Sequence, residues 1–362
     1  MSPPEAAAEL PADHSAGAQL LAEIREQPQR LLALLEHEAE YARAAVAARA
    51  HGTTTVRMVG HGSSDNAASY GVYAFGLLPR WTALRDSISL TVYYHSELDM
   101  SRSTVIGLSQ SGQTPDVLAY VERARSRGAL TIALTNDPAS ELAELAELVL
   151  PLAAGPERSV AATKTYLNQL AALALLAAHV SGDGRRLAED IRVVSDQLAE
   201  LIPTLEEQIP AVANPFAFIG RMFVIGRGAE FATAREIALK ILETCRVAAD
   251  ALTSTDLAHG PVAALDSLFP VWTIASHDDA LPAALEAAAR VHAAGATLVA
   301  SGTAAEQVAD ADYVLPVPEP PSPLLAPLLS VVPGQLFSWA VARAKGLDPD
   351  RPAGLTKVTL AR

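Results

Sequence analysis

The second half of the chain repeats the first at a nearly constant spacing, and no other feature constrains the fold as much. Gly62 and Gly228, each just after an apolar run, lie 166 residues apart, as do Val105 and Val271, which open VIGLSQ and VWTIAS. GALTIALT from Gly128 returns as GATLVASG from Gly295, and AELVLPL from Ala146 as ADYVLPV from Ala311, at spacings of 167 and 165. Short apolar runs over 54–59, 104–108, 129–134 and 148–152 read as strands, and stretches such as 67–77 and 163–179 read as helices. Strands alternating with helices imply parallel sheets. The expected fold class is therefore α/β, with two doubly wound, flavodoxin-like domains related by internal duplication.

The expected division is a disordered leader over 1–16 and a helical segment over 17–50, read as two helices broken at Pro28. A first domain over 51–202, a second over 203–345 and a tail over 346–362 complete it. Pro203 and Pro210 mark the expected joint, because proline interrupts a helix interior. A net charge of −14 argues against a nucleic-acid surface, which needs clustered Lys and Arg. The single cysteine, Cys245, rules out an internal disulfide and a cysteine-based zinc site, and no metal-ligand spacing stands elsewhere, so no metal and no organic cofactor are expected. No signal peptide is read, nor any charge-free apolar stretch long enough for a bilayer, and a cytoplasmic location is the expectation.

The chemistry begins at Ser109-Gln110-Ser111-Gly112-Gln113-Thr114, between the 104–108 strand and a helix opened by Thr114 as N-cap and Pro115 as first residue. Free amides and the helix dipole point at such a turn, and three hydroxyls add donors, so it suits a phosphate. On its own it is equally an ordinary polar turn. Ser63 and Ser64 follow another strand and are expected to face it across the switch in strand order. The second half carries Ala275-Ser276-His277-Asp278-Asp279 at the same place, where two aspartates would repel phosphate, so one phosphate site per chain is expected. A dinucleotide reading of Gly60-His61-Gly62 fails, because Asp65 stands where a third glycine belongs.

Glu236, Lys240 and Glu243 fall on one helix face at i, i+4 and i+7, a pattern that by itself reads as a solvated ion-pair ladder. His259-Gly260-Pro261 follows at a turn. A helix carboxylate and a loop imidazole together could supply a base and a group of near-neutral pKa.

Six motifs in order resemble the double sugar-isomerase (SIS) domain family, which includes the isomerase half of glucosamine-6-phosphate synthase: GHGSS, SQSGQT, AGPERSVAATKTY, the Glu236/Lys240/Glu243 helix, HGP and LTKVT. The likeness runs from residue 17 to the end and takes in AEIREQP at 22–28. It implies that Ser64, Ser109, Gln110, Ser111 and Thr114 hold a sugar 6-phosphate. It implies that Glu243 moves a proton between C1 and C2, and that His259, reaching in from the neighbouring subunit of a homodimer, opens the sugar ring. Lys357 would close over the substrate, with Ser63, Glu157, Ala161 and Lys240 as further pocket positions. His61 stands where the synthase has cysteine and Ala162 where it has serine, which leaves the sugar epimer and the C2 substituent open. The synthase's glutaminase domain has no counterpart in this sequence, so the expected reaction is the reverse one, amino-sugar 6-phosphate to ketose 6-phosphate and ammonia, without nucleic acid or membrane as partner. A fructosamine-6-phosphate deglycase and a non-catalytic sugar-phosphate-binding regulator remain open beside it.

Overall fold

The computed structural model describes residues 16–357. Two sheets of five parallel strands form its frame. The first contains β1 (Thr55–Val59), β2 (Thr82–Arg85), β3 (Ser103–Ser109), β4 (Leu130–Thr135) and β5 (Leu148–Pro151), in the order β2-β1-β3-β4-β5. The second contains β6 (Arg221–Ile225), β7 (Ala248–Leu252), β8 (Val271–Ile274), β9 (Leu298–Gly302) and β10 (Tyr313–Pro316), in the order β10-β9-β8-β6-β7. The second order is the first read from the other edge, so the sequence duplication is a duplication of topology. Both sheets match the flavodoxin-like order, with the switch between the first and third strands of each.

The central strands explain why the apolar runs read so clearly. Every residue of β3, β4, β8 and β9 is buried, as expected for parallel strands covered on both faces. The edge strands β2 (TALR) and β7 (AADAL) were not expected from the sequence. They are mostly exposed or half-buried and carry no apolar run, so periodicity gives no signal for them.

The helices are α1 (Ala18–Arg25), α2 (Gln27–Leu35), α3 (Glu38–Ala50), α4 (Ser63–Leu77), α5 (Ile88–Val92), α6 (Pro115–Ser126) and α7 (Glu141–Leu145). They continue as α8 (Lys164–Ser181), α9 (Gly184–Ala213), α10 (Glu230–Cys245), α11 (Ser254–Ala258), α12 (Leu281–Ala293) and α13 (Ala326–Ala344). The N-terminal segment forms three helices rather than two, with Pro28 in the first turn of α2, where its missing N–H has no partner to lose. Pro203 and Pro210 do not interrupt the chain either. Both lie inside α9, whose Ile191, Val194, Leu198, Ile202, Leu205 and Ile209 are buried along one stripe, and that burial outweighs the lost backbone bonds. The expected joint at 202/203 thus falls in mid-helix.

The stretch Pro323–Ala344 also corrects an expectation: it is apolar and long enough to cross a bilayer by composition, and residues 324–342 of it are all buried. It serves as a core helix, with Phe337 packed edge-on against Trp272 and Phe216. α8, its counterpart in the first half, is buried almost throughout. The two equivalent helices α4 and α10 pack against each other, and this contact brings the first domain's strand-to-helix turns to the second domain's acidic helix.

Candidate active site

β1 and β3 are neighbours, and the chain leaves both at the same edge of the sheet. After β1, Gly62 turns with φ 56° and Ser63 opens α4; after β3, the loop 110–114 leads to Pro115 at the start of α6. Gly112 has φ 63°, and a Cβ there would lie 2.0 Å from Ser140 Oγ, so only glycine fits. The loop is folded on its own hydroxyls: Gly112 N–H donates to Ser109 Oγ at 3.1 Å and Gln113 N–H to Ser111 Oγ at 3.3 Å. Thr114 makes no side-chain cap on α6, contrary to expectation, because its hydroxyl meets Ser109 Oγ at 2.9 Å. Ser64 accepts from the Gln169 amide of α8 at 2.8 Å, and both are buried.

Across from this loop, α10 carries its charged face inward. Glu236 and Lys240 are buried, and Glu243 is partly so, which replaces the solvated ladder with an interior network. Lys240 Nζ lies 2.6 Å from Glu243 Oε2, 3.4 Å from Glu236 Oε1 and 3.2 Å from Ser63 Oγ. Ser63 donates to Glu236 Oε1 at 2.8 Å and Asn66 to Oε2 at 2.9 Å. Burial raises the Glu236 pKa, and Lys240 only partly offsets it. Burial also disfavours the Lys240 cation, but the two carboxylates outweigh it and hold the amine charged, above the usual lysine range.

The tail completes the wall. Lys357 Nζ donates to Glu157 Oε2 at 2.9 Å and to the Ser159 carbonyl at 2.7 Å. The other Glu157 oxygen accepts from the Thr163 and Thr165 amides at 2.9 and 3.1 Å, satisfying free donors at the start of α8. Burial pushes the Glu157 carboxyl up, but the Lys357 charge and these amides prevail and hold it below the usual range. The AEIREQP segment acts from behind: Glu23 accepts from the Arg158 and Ser159 amides, and Glu26 pairs with Lys164 at 2.8 Å.

These parts enclose a cavity of about 460 Å³, within the range of small-molecule sites. Ser63, Ser64, Ser109, Gln110, Ser111, Thr114, Glu157, Lys240, Glu243 and Lys357 all line it. Two expected residues do not. Ala161 turns into the hydrophobic core, leaving the lining to Val160 and Ala162. His259 ends α11, exposed, and is absent from the cavity of its own chain. Sequence reasoning had not counted His61 or Asp116 among the lining, nor the buried Glu236 behind it. Asp116 follows the SQSGQT loop directly and was a legible omission, whereas the Gln169 contact lies deep in an apolar run and gave no signal.

The second half has closed the equivalent place. Glu230 stands 166 residues after Ser64, buried, and its Oε1 accepts from Ser276 Oγ at 2.6 Å and Ser330 Oγ at 2.8 Å. Oε2 has no hydrogen-bond partner among the described residues, and burial raises the pKa of this carboxyl. A carboxyl group thus fills the position where the first domain opens a cavity.

Residues 38–179 and 217–343 match the SIS domain family. The isomerizing glutamine–fructose-6-phosphate aminotransferase of Thermococcus kodakarensis is 32% identical over 345 residues, covering 93% of this chain and 57% of the relative. That of Gloeobacter violaceus is 36% identical over 267 residues, covering 71% and 44%. The chain spans about half the length of the curated relatives it matches. Among solved structures, the C-terminal domain of glucosamine-fructose-6-phosphate aminotransferase from Francisella tularensis superposes with a TM-score of 0.83 at 27% identity, covering 92% of this chain and 98% of that one. A candidate phosphosugar isomerase from Silicibacter pomeroyi gives 0.79 at 32% identity, covering 91% and 99%.

Proposed function

The chain belongs to the SIS domain family, and from that premise we propose that it is an amino-sugar 6-phosphate deaminase/isomerase, taking glucosamine 6-phosphate and water to fructose 6-phosphate and ammonia. The observation that carries this reading is the meeting of the hydroxyl-lined loop 109–114 with the Lys240–Glu243 pair in one cavity. The loop anchors the phosphate through neutral donors and the start of α6, and that remote binding orients C1 and C2. Glu243 takes the proton from C2 of the open-chain aldehyde and returns it at C1 through the enolamine. Water adds to the resulting C2 imine, and ammonia leaves. Lys240 holds Glu243 in place, and Lys357 faces the reacting carbons from the tail.

His259 opens the ring from a second copy of the chain, a role that fits its exposure away from its own cavity. The proposal therefore includes a homodimer, and a cytoplasmic location. Cys245, in α10, is buried, and burial pushes its thiol up to about 11, so it stays protonated at neutral pH and takes no part in this chemistry.

The test is to incubate the purified protein with glucosamine 6-phosphate and follow ammonia and fructose 6-phosphate together. Equal amounts of both, lost in Glu243→Gln, are expected. Saturable sugar-phosphate binding with no ammonia would overturn the deaminase reading and direct the assay to fructosamine 6-phosphates.

A further inference from the structure

The acidic and basic groups lining the cavity do not balance. Among the described residues, Asp116, Glu157 and Glu243 face Lys240 and Lys357, so with His61 neutral this part of the wall carries one negative charge in excess. A phosphate dianion would enter against that excess, and the worst placed acid is Asp116, in the first turn of α6 directly after the loop. No arginine stands among these lining residues, and Arg85 and Arg235 are both bound to Asp65, at 2.6 and 2.9 Å. Among the described residues of its own chain, His61 is the remaining source of positive charge in the lining. Its Nε2 lies 3.5 Å from Asp116 Oδ2, and the other Asp116 oxygen accepts from Tyr93 O–H at 2.8 Å.

We infer that His61 is a substrate-binding residue, and that occupation of the 109–114 loop by a dianionic phosphate is coupled to proton uptake on its imidazole. The inference rests on the phosphosugar reading and adds to it a proton-linked anion site. Protonated, His61 neutralises Asp116 and offers a charge-assisted donor at the mouth of the cavity; neutral, it leaves Asp116 to repel the ligand. The charged groups around it are Asp116 of α6, Glu243 and Lys240 of α10, Glu157 before α8, Lys357 of the tail, and Asp65 of α4 with its two arginines.

The probe is inorganic sulfate, dianionic throughout the range, titrated calorimetrically into the full chain from pH 5.5 to 8.5. Sulfate affinity is expected to fall about tenfold across the range in wild type, and to be weak and flat in His61→Gln. It should be flat and tight in His61→Lys, and flatter and tighter in Asp116→Asn. With His259→Ala, the wild-type pH dependence should survive. The same pH dependence in His61→Gln as in wild type would overturn the role of His61 while leaving the phosphate reading standing. No sulfate binding to wild type at any pH would overturn both.

Discussion

Lys357 Nζ and Glu157 Oε2 lie 2.9 Å apart although 200 residues separate them in the chain, and their bond ties the tail to the N-terminus of α8. Glu157 is fully buried, so its charge depends on that lysine and on the Thr163 and Thr165 amides. Glu157→Gln keeps the shape, removes the charge and strands Lys357. A loss of about 3 kcal/mol at pH 7 is expected from denaturant unfolding. Because the native carboxyl is held below its usual range, its contribution is present above the unfolded-state pKa and disappears as pH falls through the native one. The variant and wild type should therefore converge in acid, and a gap that stays constant down to pH 3 would contradict this assignment.

Glu243 and Ser111 line the same cavity and should fail differently. Glu243→Gln is expected to lower turnover about 100- to 10,000-fold while sugar-phosphate binding changes little. Ser111→Ala should weaken binding roughly tenfold or more, with a smaller effect on the saturated rate. Steady-state kinetics paired with calorimetry separates them; equal loss of binding and rate in the Glu243 variant would refute this division of labour.

Glu230 gives the opposite pH signature to Glu157. Its native pKa is raised by burial, so its contribution is present below the unfolded-state pKa and is lost as pH rises through the native one. Glu230→Gln, which keeps the shape, should be more stable than wild type at pH 8 and lose that advantage near pH 4. The difference amounts to about 1.4 kcal/mol for each unit by which the native pKa is raised. Thermal unfolding at the two pH values measures it.

Gly112→Ala should damage stability and ligand binding together. The new Cβ would meet Ser140 Oγ at 2.0 Å and Ser140 Cβ at 2.3 Å, and φ 63° is strained for any L-residue. Gly112→Ala combined with Ser140→Gly relieves the clash but not the φ, so partial recovery of the melting temperature is the expected result.

Much of this architecture was written plainly in the chain because its signals are local. The fully buried strands β3 and β4 are continuous apolar runs, and the 109–114 loop carries its hydroxyls in one short stretch. What escaped reading depends on tertiary packing. β2 and β7 are held by neighbours rather than by their own composition. The prolines of α9 looked like a joint because burial of the opposite face cannot be weighed from sequence. The Glu236–Lys240–Glu243 face looked solvated because its partners Ser63 and Asn66 come from α4, more than 150 residues away. His61 and Asp116 come together only through the adjacency of β1 and β3.

The segment that leads to Lys357 is fastened to the first helix. Asp350 accepts from the Gln19 and Leu20 amides at 3.0 and 2.7 Å, Asp348 from Gly17, and the Asp350 carbonyl from Val160 of the pocket wall. Two carboxylates thus cap α1 from the far end of the chain, where they also complement its dipole. Order at the beginning of this fold and order at its end are therefore a single event. A protease cut before Asp348 uncaps α1, and deletion of α1 leaves the lysine without a guide. Translation must run 200 residues beyond Glu157 before Lys357 can close the cavity wall beside it.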